Sequence, residues 1–185
     1  MEFKEQLDLD DFRNMYLLEA DYYDESHITP YQEAYRWYLA FPWSNCCLYD
    51  KDVLVGFLDL FPIGEDLYAK ILTGEFNDAD LKQEDIVDVF SQTGNRVHMF
   101  LSCIVIRKEY RKTDALKRLL QKQVAFYQPF LALGLKVGNI ITDNVTRQGE
   151  GFSARLGFER GVLSAHDSVI HVCDYKDFVK KIEEL

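Results

Sequence analysis

Residues 97–106 read VHMFLSCIVI, an almost unbroken apolar run rich in β-branched side chains. A strand with one wet face alternates polar and apolar residues. A strand without alternation is buried on both faces, which places it inside a sheet covered by helices. A helical pattern follows from about 114 to 128, with its apolar stripe on Leu116, Leu119, Leu120, Val124 and Tyr127. Pro129 is expected to kink or end that helix, and Gly134 to close the segment. A second strand is expected near Val137–Thr142. Strand, helix and strand in this order form a βαβ unit, so 97–106 and 137–142 should be parallel neighbours with a right-handed crossover.

The rest of the chain fits around that unit. Residues 8–24 carry Leu9, Phe12, Met15, Tyr16 and Leu18 at roughly helical spacing. Thr29-Pro30 opens a second helix through Tyr31, Tyr35, Tyr38 and Leu39. Cys46–Tyr49, the turn Asp50-Lys51-Asp52, and Val53–Ile63 read as a β-hairpin, with Pro62 marking its end. Residues 64–93 hold eight acids against two bases, a net of −6, and read as amphipathic helices over the sheet or a lid. After Thr142 come a short helix near 147–156, a Gly157-Phe158 turn, strands near 159–165 and 168–174, and a final amphipathic helix. The expected architecture is α/β: a mixed, mostly antiparallel twisted sheet with helices on both faces. One domain spans 1–185, with a helical acidic insertion at about 64–93.

Composition excludes several function classes. The chain has 185 residues, 48% of them hydrophobic, enough for a real core. Its net charge of −10 argues against nucleic-acid binding, which needs clustered Lys and Arg to displace counterions. No apolar run reaches membrane-spanning length, and MEFKEQLDLDDF has no secretory character, so no membrane association and a cytoplasmic location are expected. Cys46, Cys47, Cys103 and Cys173 show no C-x-x-C spacing, so no metal site is expected. Phosphate-loop, H-E-x-x-H and G-x-S-x-G motifs are absent, and Gly149-Glu150-Gly151 reads as the opening of the short helix.

The chemistry gathers where the apolar strand ends. Residues 107–122 contain seven bases and two acids, a local +5 in a chain of −10. A basic turn running into a helix N-terminus is an anion site, most naturally for phosphate; a solvated basic helix face is the alternative. The segment IRKEYRKTDALKRLL resembles the acyl-CoA-binding motif of the GNAT acyltransferase superfamily, V-x-P-E-Y-R-G-x-G-x-G/A-x-x-L-L. Ile106 takes the Val position, Glu109, Tyr110 and Arg111 match, and Leu119-Leu120 fix the register. ITDNVTRQGEGFSARLGFE is similar to the later strand–helix segment, matching at Asn144, Leu156, Gly157 and Phe158. Leu54-Val55-Gly56-Phe57 resembles the preceding hairpin strand.

That resemblance implies an acyl-CoA-dependent N-acyltransferase, with acetyl-CoA as co-substrate. Backbone groups at Ile104, Val105 and Ile106 would hold and polarise the thioester. Arg111, Lys112, Thr113, Asp114, Ala115 and Leu116 would cradle the pyrophosphate, and Asn144 would contact the cofactor. The acceptor would be a small-molecule amine or a protein lysine or N-terminal amine. The acids of 64–93 would line its side of the site. The sequence is compatible with a homodimer.

The chain also departs from the family pattern. Lys112, Asp114 and Leu116 stand where glycines or alanine are usual, and Lys108 replaces the proline. Ser153 occupies the place of the tyrosine that serves as catalytic acid. No carboxylate interrupts VHMFLSCIVI, where many relatives keep a base, and His98 at the strand's start reads as structural rather than as a base. Asp114 precedes Ala115-Leu116 as a natural helix N-cap, so its carboxylate is expected to occupy the helix N-terminus. The lost glycines leave open a second reading, a GNAT-fold binding protein without catalysis.

Overall fold

The computed structural model describes residues 1–77, 80–92 and 96–185. Seven strands form one sheet: β1 (Glu2–Phe3), β2 (Asn45–Asp50), β3 (Val53–Ile63), β4 (Arg96–Ile106), β5 (Lys136–Asn144), β6 (Glu159–Leu163) and β7 (Val169–Asp174). Their spatial order is β1-β2-β3-β4-β5-β7-β6. Only β4 and β5 run parallel; every other neighbouring pair is antiparallel. The expected βαβ unit is therefore present, in an open mixed sheet.

Helices α1 (Leu9–Glu19) and α2 (Tyr31–Ala40) cover one face. The other carries α4 (Ala115–Ala132) and α6 (Tyr175–Glu183), while α3 (Glu65–Leu72) and α5 (Arg147–Arg155) flank the sheet. Asp8 caps α1 in a reciprocal box: its carboxylate accepts from the amides of Asp10 and Asp11, and Asp11 accepts from Asp8 N at 2.7 Å. The buried Asp11 also accepts from the Tyr49 hydroxyl at 2.6 Å and pairs with Lys4 at 2.7 Å. One carboxylate thus caps its own helix and pins it to β2. On the opposite face the buried Tyr127 of α4 donates its hydroxyl to Leu60 O of β3 at 2.7 Å.

Some boundaries differ from those expected. Helix α4 runs through Pro129 to Ala132. Proline removes one intrahelical donor, and packing of Tyr127 and Phe130 into the core holds the last turn regardless. Gly134 then adopts φ +98°, and Leu135 N returns to Phe130 O at 3.0 Å. The first helix stops at Glu19 rather than continuing to 24. Strand β3 includes Pro62, whose carbonyl accepts from Val87 N. The two-residue β1 was not anticipated, being too short to show a period. In the acidic segment 64–93 the described residues form α3 and two single-turn 3-10 helices, Gln83–Asp85 and Val89–Gln92.

His98 is structural, as expected. Its buried ring stacks on Tyr68 at 3.8 Å, and its Nδ1 accepts from Asn139 N at 3.1 Å. Nε2 is therefore the protonated nitrogen, and it donates to Glu65 at 2.9 Å.

Candidate functional site

The site begins where the parallel strands β4 and β5 diverge. Pairing between them runs from Arg96↔Lys136 to Phe100↔Ile141 and stops. Beyond that point β4 stays on β3 as far as Gly56↔Ile106, and β5 stays on β7 as far as Asn144↔Val169. Each strand keeps its outer neighbour and loses its inner one. A bulge marks the divergence: Asp59 pairs with Cys103 but Leu60 pairs with Leu101, so Ser102 is the extra residue. Bulges bend the strand that carries them, which accounts for β4 swinging away from β5.

A cavity of about 570 Å³ fills the opening. Leu101–Ile106 of β4 and Thr142–Asn144 of β5 form its walls. Arg111 and Leu116 stand at one end, and Phe12, Tyr16, Tyr23, Tyr31 and Trp37 roof it from α1, α2 and their connection. Backbone groups of Leu101–Ile106 on the side facing β5 have no ladder partner there, so they are presented to whatever enters.

Of the cofactor-binding residues expected from sequence, Ile104, Val105, Ile106, Arg111, Leu116 and Asn144 line the cavity, whereas Lys112, Thr113 and Asp114, in the turn, and Ala115, the first residue of α4, lie outside it. The Arg111 guanidinium lies 4.6 Å over the Tyr22 ring, and its Nε donates to Ile106 O at 3.1 Å. Asp114 corrects an expectation. It precedes α4, but its side chain makes no cap hydrogen bond; the hydroxyl of Thr113 accepts from Ala115 N at 3.2 Å instead. Asp114 has φ −79° and ψ 6° rather than the extended backbone of a capping residue, so its carboxylate does not reach back over the helix end.

Asn144 and Ser153 form a second node. Asn144 Nδ2 lies 3.0 Å from Ser153 Oγ and 2.9 Å from His171 Nδ1. Ser153 is fully buried and does not line the cavity. Gly149 makes this packing feasible, because a Cβ there would sit 2.7 Å from Asn144 Oδ1. The Thr146 hydroxyl caps α5 by accepting from Gly149 N at 3.0 Å, and Arg147 and Arg155 of this helix face the cavity. Neither arginine was singled out from sequence.

Carboxyl groups from separate elements also line the cavity. Asp59 is buried, and burial, with the negative charge of Glu19 adding to it, pushes its carboxyl well above the ordinary carboxylate range. Asn45 Nδ2 donates to it at 2.6 Å. Glu19 lines the cavity from the end of α1, with its carboxylate 3.0 Å from Cys103 Sγ. Asp143 on β5 also lines the cavity, and burial raises its carboxyl. Tyr23 is raised by burial, then by Cys103 and Glu19. Trp37 is buried, and its Nε1–H has no acceptor among the described residues. None of the described residues of 64–93 lines this cavity, contrary to the expectation that this acidic segment would face an acceptor. The acids that do so sit on α1, β3 and β5, where the expected pattern did not look.

No protein-family profile matches the sequence, and no curated protein matches it. Solved structures do match, at low identity. A GNAT-like decarboxylase, GphF, in complex with isobutyryl-CoA aligns at 12% identity with a TM-score of 0.61, over 94% of this chain and 99% of that one. The loading GNATL domain of CurA from Lyngbya majuscula aligns over the whole of both chains at 13% identity, with a TM-score of 0.62. The PaiA N-acetyltransferase from Thermoplasma acidophilum in complex with coenzyme A aligns at 14% identity, over 95% of this chain and 100% of that one, with a TM-score of 0.56.

Proposed function

We propose that this chain, which has the GNAT fold, is an acyl-CoA-dependent N-acyltransferase that moves an acyl group, in the first instance acetyl, from the thioester to a primary amine. The observation that carries this reading is the divergence of β4 and β5 around a cavity whose two halves differ in chemistry. One half offers the edge of Ile104–Ile106 that lacks a β5 partner and the Arg111 guanidinium, which already bonds Ile106 O, with the rest of the basic turn before α4 lying outside the cavity. The other offers aromatic rings and the carboxyls of Glu19, Asp59 and Asp143.

The first half suits a pantetheine arm and pyrophosphate. Amide groups of an extended ligand can complete the open strand edge, as a peptide does in strand addition. Arg111, with Lys112 and the amides at the start of α4, supplies positive charge for the pyrophosphate. Asn144, held by Ser153 and His171, shapes the wall opposite. Much of the rate would come from holding amine and thioester together in one cleft. The carboxyl-rich half suits a cationic acceptor, a small-molecule amine or a lysine or N-terminal amine. Ser153 serves here to position Asn144 rather than as the proton donor. Buried thiols at Cys46, Cys47 and Cys173 suit the reducing cytoplasm.

The test is calorimetric titration with acetyl-CoA and with CoA, followed by product detection over a panel of amines. Stoichiometric acetyl-CoA binding with amine-dependent release of CoA supports the reading. Binding without transfer to any amine would replace it with a ligand-binding role, and no binding would end it.

A further inference from the structure

The bulge at Ser102 does more than separate β4 from β5. It brings Asp59 and Cys103 into direct cross-strand register on the face covered by α1. Glu19, at the end of α1, contacts Cys103 from above at 3.0 Å. All three line the same cavity. Two carboxyl groups therefore flank one thiol inside the cleft, at the level where β4 leaves β5.

Their surroundings differ. The groups that act on Asp59 include Asn45, Cys46 and Cys47 on β2, Cys103 on β4, and Glu19 on α1. None of these carries a positive charge; Arg111, Arg147 and Arg155 line the same cavity. Cys46 and Cys47 are buried thiols pushed up by burial, so they remain neutral. Asn45 is itself fixed, its Oδ1 lying 2.8 Å from Ser44 Oγ. Asp59 thus accepts from an amide and has a like charge nearby, and burial with that charge favours the neutral acid. Glu19 is half-exposed, at the end of α1, and so lies in reach of solvent.

Resting on the acyltransferase reading, we infer that Asp59 and Glu19 are its proton-transfer pair, Asp59 as the acid for the leaving thiolate and Glu19 as the base for the incoming ammonium. Glu19 takes one proton from the ammonium, which frees the nitrogen lone pair. The nitrogen attacks the thioester carbonyl carbon, the C–N bond forms, and the C–S bond breaks. Asp59 delivers its proton to the departing sulfur from one oxygen and takes the surplus N–H proton on the other. Glu19 then releases its proton to solvent, so the cycle yields amide, CoA thiol and one proton. Two carboxyls held in unlike environments take opposite roles for that reason. This fills the place left by Ser153, whose hydroxyl is buried outside the cavity.

The experiment compares the wild type with Asp59→Asn and Glu19→Gln by steady-state kinetics across pH, with thermal unfolding and acetyl-CoA titration as controls of fold. Asp59→Asn should lower kcat by about a hundredfold or more, the range of acid–base contributions, with acetyl-CoA affinity little changed. The alkaline limb of the wild-type kcat profile should disappear with it. Glu19→Gln should remove the acidic limb and raise the KM of the amine. A readout independent of turnover is the infrared band of a protonated carboxyl at neutral pH. It should be present in the wild type, titrate away as pH rises, and be missing from Asp59→Asn. A kcat near that of the wild type in Asp59→Asn, or an alkaline limb that persists, overturns the assignment. So does absence of the carboxyl band, even if Asp59→Asn does not fold. A wild type that binds acetyl-CoA yet acylates no amine fails differently: it overturns the acyltransferase reading, and the paired role falls with it whatever the band shows.

Discussion

Asp59 and Cys103 face each other across β3 and β4 at the one place where the register of that pair slips. An acid at this position has a thermodynamic cost. Its raised native state binds a proton that the unfolded chain, with an ordinary value near 3.8, has already released. The native state therefore holds more protons than the unfolded state at any pH between those two values, and stability falls as pH rises through that window. Asp59→Asn should be the more thermostable protein at neutral pH, and its advantage should vanish as pH is lowered towards 3.8. Thermal midpoints of the two proteins over a pH series test this. Parallel curves would mean that Asp59 ionises normally.

The basic turn should decide cofactor affinity. Arg111→Glu combined with Lys112→Glu should abolish measurable CoA binding while the unfolding midpoint changes little, since both side chains are exposed. Calorimetric titration and a melting curve on the same preparation suffice. Retained affinity would place the pyrophosphate elsewhere, with Arg147 and Arg155 of α5 the next candidates.

Because its side chain makes no cap bond, Asp114 can be replaced without loss of a helix cap. Asp114→Asn should leave stability within about 0.5 kcal/mol of wild type. CoA binding should tighten modestly, as one negative charge near the pyrophosphate is removed, and the gain should shrink in high salt. Weaker binding by the variant would mean that the Asp114 side chain itself contributes to the site.

Ser153→Ala deletes a buried hydroxyl bonded to Asn144. About 1 kcal/mol of stability should go with it. The loss in rate should stay below about a hundredfold, the low end of acid–base contributions, because the hydroxyl acts only through Asn144. A larger fall in kcat at unchanged KM would restore Ser153 as a participant in proton transfer.

Much of the fold was legible because its central elements carry clean periodic signals. The run at 97–106 has no alternation, and β4 is buried along most of its length. The stripe from Leu116 to Tyr127 became the inner face of α4. Part of the cavity's lining was legible too, since Arg111, Leu116 and Ile104–Ile106 lie close together in sequence. The rest of the lining was not. Glu19, Tyr23, Trp37 and Asp59 come from separate elements, and only tertiary packing gathers them. One signal was available and passed over: Asp59 is the single charged residue within VLVGFLDLFPI, an otherwise apolar strand. A carboxyl in such a run must be buried, and a buried carboxyl without a cation is a functional candidate. The cap assigned to Asp114 failed for a local reason, because the neighbouring Thr113 hydroxyl took the amide first.

The divergence of β4 from β5 also creates something sheets usually confine to their margins. Leu101–Ile106 is a raw strand edge about 20 Å long, set in the middle of the molecule. At the periphery such an edge would invite another chain to add itself and start an aggregate. Here the aromatic rings of α1 and α2 line the cavity beside it, so the edge lies within the fold rather than at the rim of the sheet. The same architecture that leaves these backbone groups without a strand partner thereby sets them away from the margins where sheets add strands.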